Sequence, residues 1–150
     1  MKTLTLIGEV GEEIYAGLVS EMLEEAGGED IYVKLSTPGG SISDGITIYN
    51  LFRQYDGHVI IENIGYSVSA GALIMQAANE RVVARASLTM MHFGRLIAED
   101  GSETTEDMVE DGPVKQFMNT ANRTIFRIFS ERTGLNGEVV LDLLAKEYFM

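Results

Sequence analysis

Val59-Ile60-Ile61-Glu62-Asn63-Ile64 runs into Gly65-Tyr66-Ser67-Val68-Ser69-Ala70-Gly71 and then into Ala72-Leu73-Ile74-Met75-Gln76-Ala77-Ala78. The first block is rich in β-branched residues and reads as a strand; the last is built of helix formers. The seven residues between, Gly65 to Gly71, interrupt the strand and open the helix, so a hydroxyl sits where one becomes the other. The first N–H groups of a helix have no partner and carry partial positive charge. An oxyanion forming beside Ser69 would therefore meet donors already oriented. This is a setting for a serine nucleophile, and its chemistry then needs a base.

The chain has only two histidines. His92 ends a second strand-like run, Leu88-Thr89-Met90-Met91, and strand ends are where sites gather in α/β proteins. As the only histidine after Ser69 it is the candidate general base. His58 follows Asp56-Gly57 at the polar start of a strand and reads as a surface residue.

Upstream, Ser36-Thr37-Pro38-Gly39-Gly40 ends the apolar strand Ile31-Tyr32-Val33-Lys34-Leu35 and precedes an amphipathic helix. Its two glycines let backbone N–H groups approach a substrate with no Cβ in the way. A phosphate loop is the weaker reading, because no Lys follows the glycines in the G-x-x-x-x-G-K pattern.

Outward from these blocks the chain repeats one pattern. Thr3 to Ile7 alternates as a strand; Ile14, Leu18, Val19, Met22, Leu23 and Ala26 recur at helical spacing until Gly27-Gly28. Strand 31–35, a helix over about 42–54 with Ile42, Ile46 and Tyr49 on one face, strand 59–64, helix 69–78 and strands near 81–84 and 88–92 continue it. Repeated β-α units predict an α/β fold with parallel strands. Residues 94–112 turn polar and acidic and predict a surface loop without a core face. Beyond Pro113 an apolar stripe, Val114, Phe117, Met118, Ala121, Ile125, Ile128 and Phe129, marks a helix about 15 residues long that Gly134 ends.

At 150 residues and 45% hydrophobic content, with no linker-like stretch, the chain predicts one domain over 1–150. Its net charge of −12 would repel a phosphate backbone and an anionic membrane, which argues against nucleic-acid and membrane partners. No apolar run approaches the ~20 residues of a membrane span, and the N-terminus does not read as a signal peptide, so a cytoplasmic location is expected. The absence of cysteine excludes disulfides, thiolate metal sites and a Cys nucleophile; two separated histidines argue against a metal cluster.

Three blocks carry a resemblance to the ClpP family of Clp protease proteolytic subunits, within the ClpP/crotonase superfamily. Ser36-Thr37-Pro38-Gly39-Gly40, with the helix it opens, is similar to the family's Ser-Pro-Gly-Gly motif. Gly65 to Ala72 matches Gly-x-x-x-Ser-x-Gly-Ala, which selects Ser69 over Ser67 as nucleophile. Leu88-Thr89-Met90-Met91-His92 resembles the family's strand ending in the catalytic histidine. The resemblance covers about residue 4 to the C-terminus. It implies a ClpP/crotonase-like fold with a long handle helix (handle region about 94–133), through which rings assemble. It also implies an oxyanion hole from the N–H groups of Gly40 and Ala70, and polypeptide substrates added as a strand beside Gly39-Gly40. By the same resemblance the protein is a serine endopeptidase in a homo-oligomeric ring, singly or stacked, with an AAA+ unfoldase as partner and no cofactor.

The sequence also departs from the family. The aspartate that completes the family's triad aligns with Leu143, which cannot orient an imidazole; Asp142 is adjacent, and Glu147 is a second carboxylate nearby. The family continues past Phe149-Met150 with a helix and a strand and begins with pore-lining loops. A truncated chain, or a shortened and divergent member such as a phage relative, is expected. Two other functions stay open: a proteolytically silent assembly protein, and a crotonase-like acyl-CoA enzyme.

Overall fold

The β-α alternation is realised almost element by element in the computed structural model, which describes residues 1–150. In chain order come β1 (Lys2–Ile7), α1 (Ala16–Ala26), β2 (Ile31–Thr37), α2 (Ile42–Gln54), β3 (Val59–Val68), α3 (Ala70–Met75), β4 (Glu80–Val83) and β5 (Leu88–Met90). The five strands form one sheet in the order β1-β2-β3-β4, with β5 also on β3, and every pairing is parallel. Ile31, Val33 and Leu35 of β2 and Val59 and Ile61 of β3 are sealed from solvent, and Val19, Ile48, Phe52 and Ile74 from the helices pack with them into one core. Parallel strands covered by helices bury apolar residues in this way.

β3 differs from the expected strand 59–64. It runs on through the glycine to Val68, and its two halves take different neighbours: Ile60 to Asn63 pair with β4, whereas Tyr66 to Val68 pair with β5. The register against β2 slips at the same place, from Leu35↔Asn63 to Thr37↔Ser67. Asn63 makes this fork possible. Fully buried, it donates to Leu88 O (3.0 Å) and Thr89 Oγ1 (3.1 Å) while its Oδ1 accepts from Gly65 N (3.0 Å). The side chain thus replaces ladder bonds that the irregularity removes.

The helix expected over 69–78 is shorter, because Gln76 to Ala78 form a turn. In α2 the fully buried face is Gly45, Ile48 and Phe52; the expected Ile42, Ile46 and Tyr49 lie at its half-buried edge. Gly45 eases the close approach of α3, since a Cβ there would lie 3.1 Å from the Ala70 Cβ, a tight contact.

The chain forms two compact units, one of residues 1–91 with 148–150 and one of residues 92–147. The second holds a two-stranded antiparallel hairpin, β6 (Leu96–Ile97) and β7 (Glu103–Thr104), then a 3-10 turn at Glu106–Met108, then α4 (Pro113–Thr133) and α5 (Gly137–Lys146). The hairpin and turn fall where the sequence predicts a polar loop, and no residue of either is buried, so that expectation of no core face stands. With 21 residues, α4 is longer than its apolar stripe suggests; Pro113 occupies its first turn and Gly134, in the left-handed region, ends it. Met118, Ala121, Ile125, Ile128 and Phe129 of the stripe are buried, but Val114 and Phe117 are exposed. α5 is a helix for which the sequence pattern gave no expectation. Asn136 caps it by accepting from Glu138 N (2.8 Å), and Val140 and Leu144 are its buried side. No helix is long and apolar enough to cross a membrane.

Candidate active site

The backbone at Ser69 is the most unusual in the first unit. At φ 55° and ψ −116° it is the only residue there other than glycine with positive φ. An L-residue in that region costs on the order of 1–3 kcal/mol, and such strain concentrates at functional sites. The surroundings enforce it. Ser69 N donates to Met90 O (2.8 Å), tying the junction to the end of β5, and Ser69 O accepts from Leu73 N (3.2 Å) to start α3. The Ser69 side chain makes no capping bond to the helix, so the hydroxyl is not spent on the helix start.

Gly39 lies against this serine. A Cβ at Gly39 would fall 2.7 Å from the Ser69 Cβ and 3.3 Å from Oγ, and with φ 101° its backbone favours glycine as well. Gly40 (φ 140°) has even less room, since a Cβ there would sit 2.1 Å from Val10 O. The turn is pinned on both sides: Gly39 O accepts from Val10 N (2.8 Å), Val10 O from Ser41 N (2.7 Å), and Thr37 Oγ1 from Gly39 N (3.0 Å). With those groups engaged, the Gly40 N–H donates no hydrogen bond within the protein, and neither does the Ala70 N–H at the first residue of α3. Ser67 is fully buried opposite Thr37 and its Oγ has no partner, which leaves Ser69 as the accessible hydroxyl of the pair.

His92 begins the second unit in a segment, 91–95, with no regular structure. Its Nδ1 hydrogen-bonds the carbonyl of Phe93. A carbonyl only accepts, so Nδ1 carries the proton and Nε2 keeps a lone pair. Burial pushes the His92 pKa below its ordinary 6.5, opposed by the Phe93 bond; Arg95 lowers it further and Glu103 raises it. The ring is therefore neutral at pH 7, the form a general base requires. His58 is exposed and sits 2.9 Å from Glu80 Oε1, as a surface residue would.

Asp142 lies on the exposed side of α5, with Oδ1 2.6 Å from Lys146 Nζ one turn on. Within the same unit the charged groups acting on His92 are Arg95 and Glu103. Glu147, the other expected carboxylate, ends α5 in a left-handed conformation (φ 56°) and pairs with Arg95, which also holds Glu103. Two residues that sequence reading passed over carry structure here. Asn122, buried on α4, accepts from Gly94 N at 2.8 Å, and Glu106 accepts from Asn119 (2.7 Å) and Asn122 (2.8 Å). The one available signal was an amide inside the apolar stripe, between Ala121 and Ile125. A pocket of about 480 Å³ in this unit is lined by Phe93, Arg95, Glu106, Asn122, Leu144 and Glu147 among others.

The sequence profile of the Clp protease family matches residues 1–150. The chain is 26% identical to ATP-dependent Clp protease proteolytic subunit 3 of Synechococcus sp., covering 99% of this chain and 74% of that one. To proteolytic subunit 1 of Gloeobacter violaceus it is 26% identical, covering 95% and 72%. ClpP1 from Listeria monocytogenes shares the fold with a TM-score of 0.79 at 22% identity, over 99% of this chain and 81% of that one. A fold and glycine turn of this kind, with a sequence match over the whole length at such modest identity, make the chain a divergent member of the Clp protease family.

Proposed function

We propose that the protein is a serine endopeptidase acting on extended polypeptides. Ser69 is the nucleophile, His92 the general base, and the N–H groups of Gly40 and Ala70 the oxyanion hole. His92 Nε2 takes the hydroxyl proton as Ser69 Oγ attacks the peptide carbonyl, and returns it to the leaving amine. Water, deprotonated by the same imidazole, then hydrolyses the acyl-enzyme. The observation that carries this reading is the left-handed Ser69 at a strand–helix junction, packed against Gly39, with two uncommitted N–H donors beside the glycine turn and the helix start. Each such donor is worth ~2.7–4 kcal/mol to the transition state.

The substrate binds as an added strand next to Gly39-Gly40, where main-chain hydrogen bonds give little side-chain preference. The exposed Val114 and Phe117 of α4 support assembly into homo-oligomeric rings through the handle, and the family supports an AAA+ partner in the cytoplasm. Asp142 is the expected third member. Its engagement by Lys146 favours a second reading, a proteolytically silent assembly protein. A fluorophosphonate probe decides between them: labelling of wild type that Ser69→Ala abolishes is expected, and assembled wild-type protein that takes no label overturns the peptidase reading.

A further inference from the structure

His92 lies in a segment without helix or strand, and individual hydrogen bonds tie that segment down. Two of these share one peptide group. The Phe93 carbonyl accepts from His92 Nδ1, and the Gly94 N–H, at the other end of the same rigid plane, donates to Asn122 Oδ1 at 2.8 Å. Asn122 is 8% exposed on the inward side of α4, where an amide is tolerated only with its partners in place. Its Nδ2 donates to Glu106 Oε2 at 2.8 Å, and Asn119 Nδ2 donates to the other carboxylate oxygen at 2.7 Å. A carboxylate can only accept and a backbone N–H can only donate, so the Asn122 amide has one orientation.

Donation therefore runs one way along the whole series: His92 to the Phe93 carbonyl, Gly94 to Asn122, Asn122 to Glu106. The negative charge at the far end draws each hydrogen toward it and makes each amide oxygen a better acceptor, so the bonds reinforce one another. We infer that the Phe93–Gly94 peptide and Asn122 relay the carboxylate of Glu106 to His92, and that this relay replaces the directly bonded aspartate of a Ser-His-Asp site. It keeps the proton on Nδ1, leaves Nε2 free, and steadies the imidazolium that forms when Ser69 is deprotonated. Asn122 and Glu106 are positioning residues that touch no substrate. The inference rests on the reading of His92 as base, and it explains how Leu143 can occupy the position of the family's aspartate.

The surrounding charges are consistent with the arrangement. The bonds from Asn119 and Asn122 hold Glu106 below the usual carboxylate range, aided by Lys115 and Arg123, so it is ionised wherever His92 could act. Arg95 and Glu103 face His92 with opposite signs.

The test uses the full chain as wild type, Glu106→Gln, Asn122→Ala, the Asn122→Asp/Glu106→Gln double variant and Asp142→Asn, with folding checked by circular dichroism. Fluorophosphonate labelling rates are measured against pH, and ring ¹⁵N shifts of His92 in a His58→Gln background. Glu106→Gln and Asn122→Ala should slow labelling about tenfold and move the midpoint of the acid limb down by about half a unit. The double variant, with its carboxylate one link nearer the ring, should move that midpoint above wild type. The ring should show the Nδ1–H tautomer in wild type and lose that preference in Asn122→Ala. The relay is overturned if folded Glu106→Gln keeps wild-type rate and midpoint, if Asp142→Asn alone collapses labelling, or if wild type shows the Nε2–H tautomer. Absence of wild-type label would sink the peptidase reading separately, and the tautomer would then decide the relay alone. Should Asn122→Ala fail to fold, the near-isosteric Glu106→Gln carries the decision.

Discussion

The Ser69 turn and the His92 segment are held by opposite means. Around Ser69 the constraints are steric and main-chain: glycines at 39 and 40 with no space for a Cβ, and backbone bonds to Met90 and Val10. Around His92 they are side-chain and polar: a buried amide, a carboxylate taking two hydrogen bonds, and an arginine gripping two acids. A steric constraint fails abruptly when one atom is added. A polar network instead loses strength one link at a time and answers to pH.

The largest effect that would separate the two regions is expected at Gly40. In Gly40→Val the new Cβ would meet Val10 O at 2.1 Å, on a backbone with φ 140°, so the turn must move or the fold must yield. Loss of stability of at least about 3 kcal/mol and complete loss of probe labelling are expected, read by chemical denaturation and by fluorophosphonate. A labelled, stable variant would break the claim that the first region is steric. Next comes Asn63→Ala, which removes the acceptor of the half-buried Gly65 N–H and the donor that ties the Leu88 carbonyl and the Thr89 hydroxyl to β3, and leaves a hole at a fully buried position. That change should cost about 2–4 kcal/mol.

These two positions also show what the sequence could and could not disclose. Gly39, Gly40, Ser69 and the β-α alternation are legible because each is a local rule: a residue type at a turn, or a period in hydrophobicity. Asn63 and Asn122 are not, because their roles depend on partners 25 and 28 residues away. An amide in an apolar run reads as a blemish until the fold supplies those partners. The length of β3 is not legible for a related reason. Gly65 signals a break locally, yet the ladder resumes with β5 because Asn63 bridges the gap. α5 carries helix signals, Asn136 at its start and Val140 and Leu144 four apart on its buried side, but the apolar residues on either side of them blur the period in so short a stretch.

Smaller, and opposite in sign, is the effect expected of Ser69→Gly. Glycine adopts φ 55° without the penalty an L-residue bears, so this variant should be more stable than wild type by about 1 kcal/mol while taking no label. Ser69→Ala removes the same hydroxyl without relieving the backbone, so it serves as the reference. The comparison is sharpened if thermal melts place the two variants apart, with glycine the more stable. Equal melts would mean the turn is unstrained.

The smallest effect is the pH dependence of the second region, and its sign follows from Glu106. Hydrogen bonds from Asn119 and Asn122 lower its folded pKa below the ordinary 4.5, so the unfolded chain binds the proton more readily. Its contribution to stability is present above pH 4.5 and is lost as pH falls through the folded value. His92 also destabilises on acidification, but its loss begins higher, as pH drops below 6.5, because burial lowers its pKa. Glu106→Gln should therefore sit a little below wild type in Tm at pH 7, and the gap should close below pH 4.5, whereas the decline between pH 6.5 and 4.5 should persist in both. Melts of the two proteins across that range measure it. A gap that is constant with pH would mean that the Glu106 charge contributes nothing to its bonds with Asn119 and Asn122, leaving His92 as the group through which the second region answers to pH.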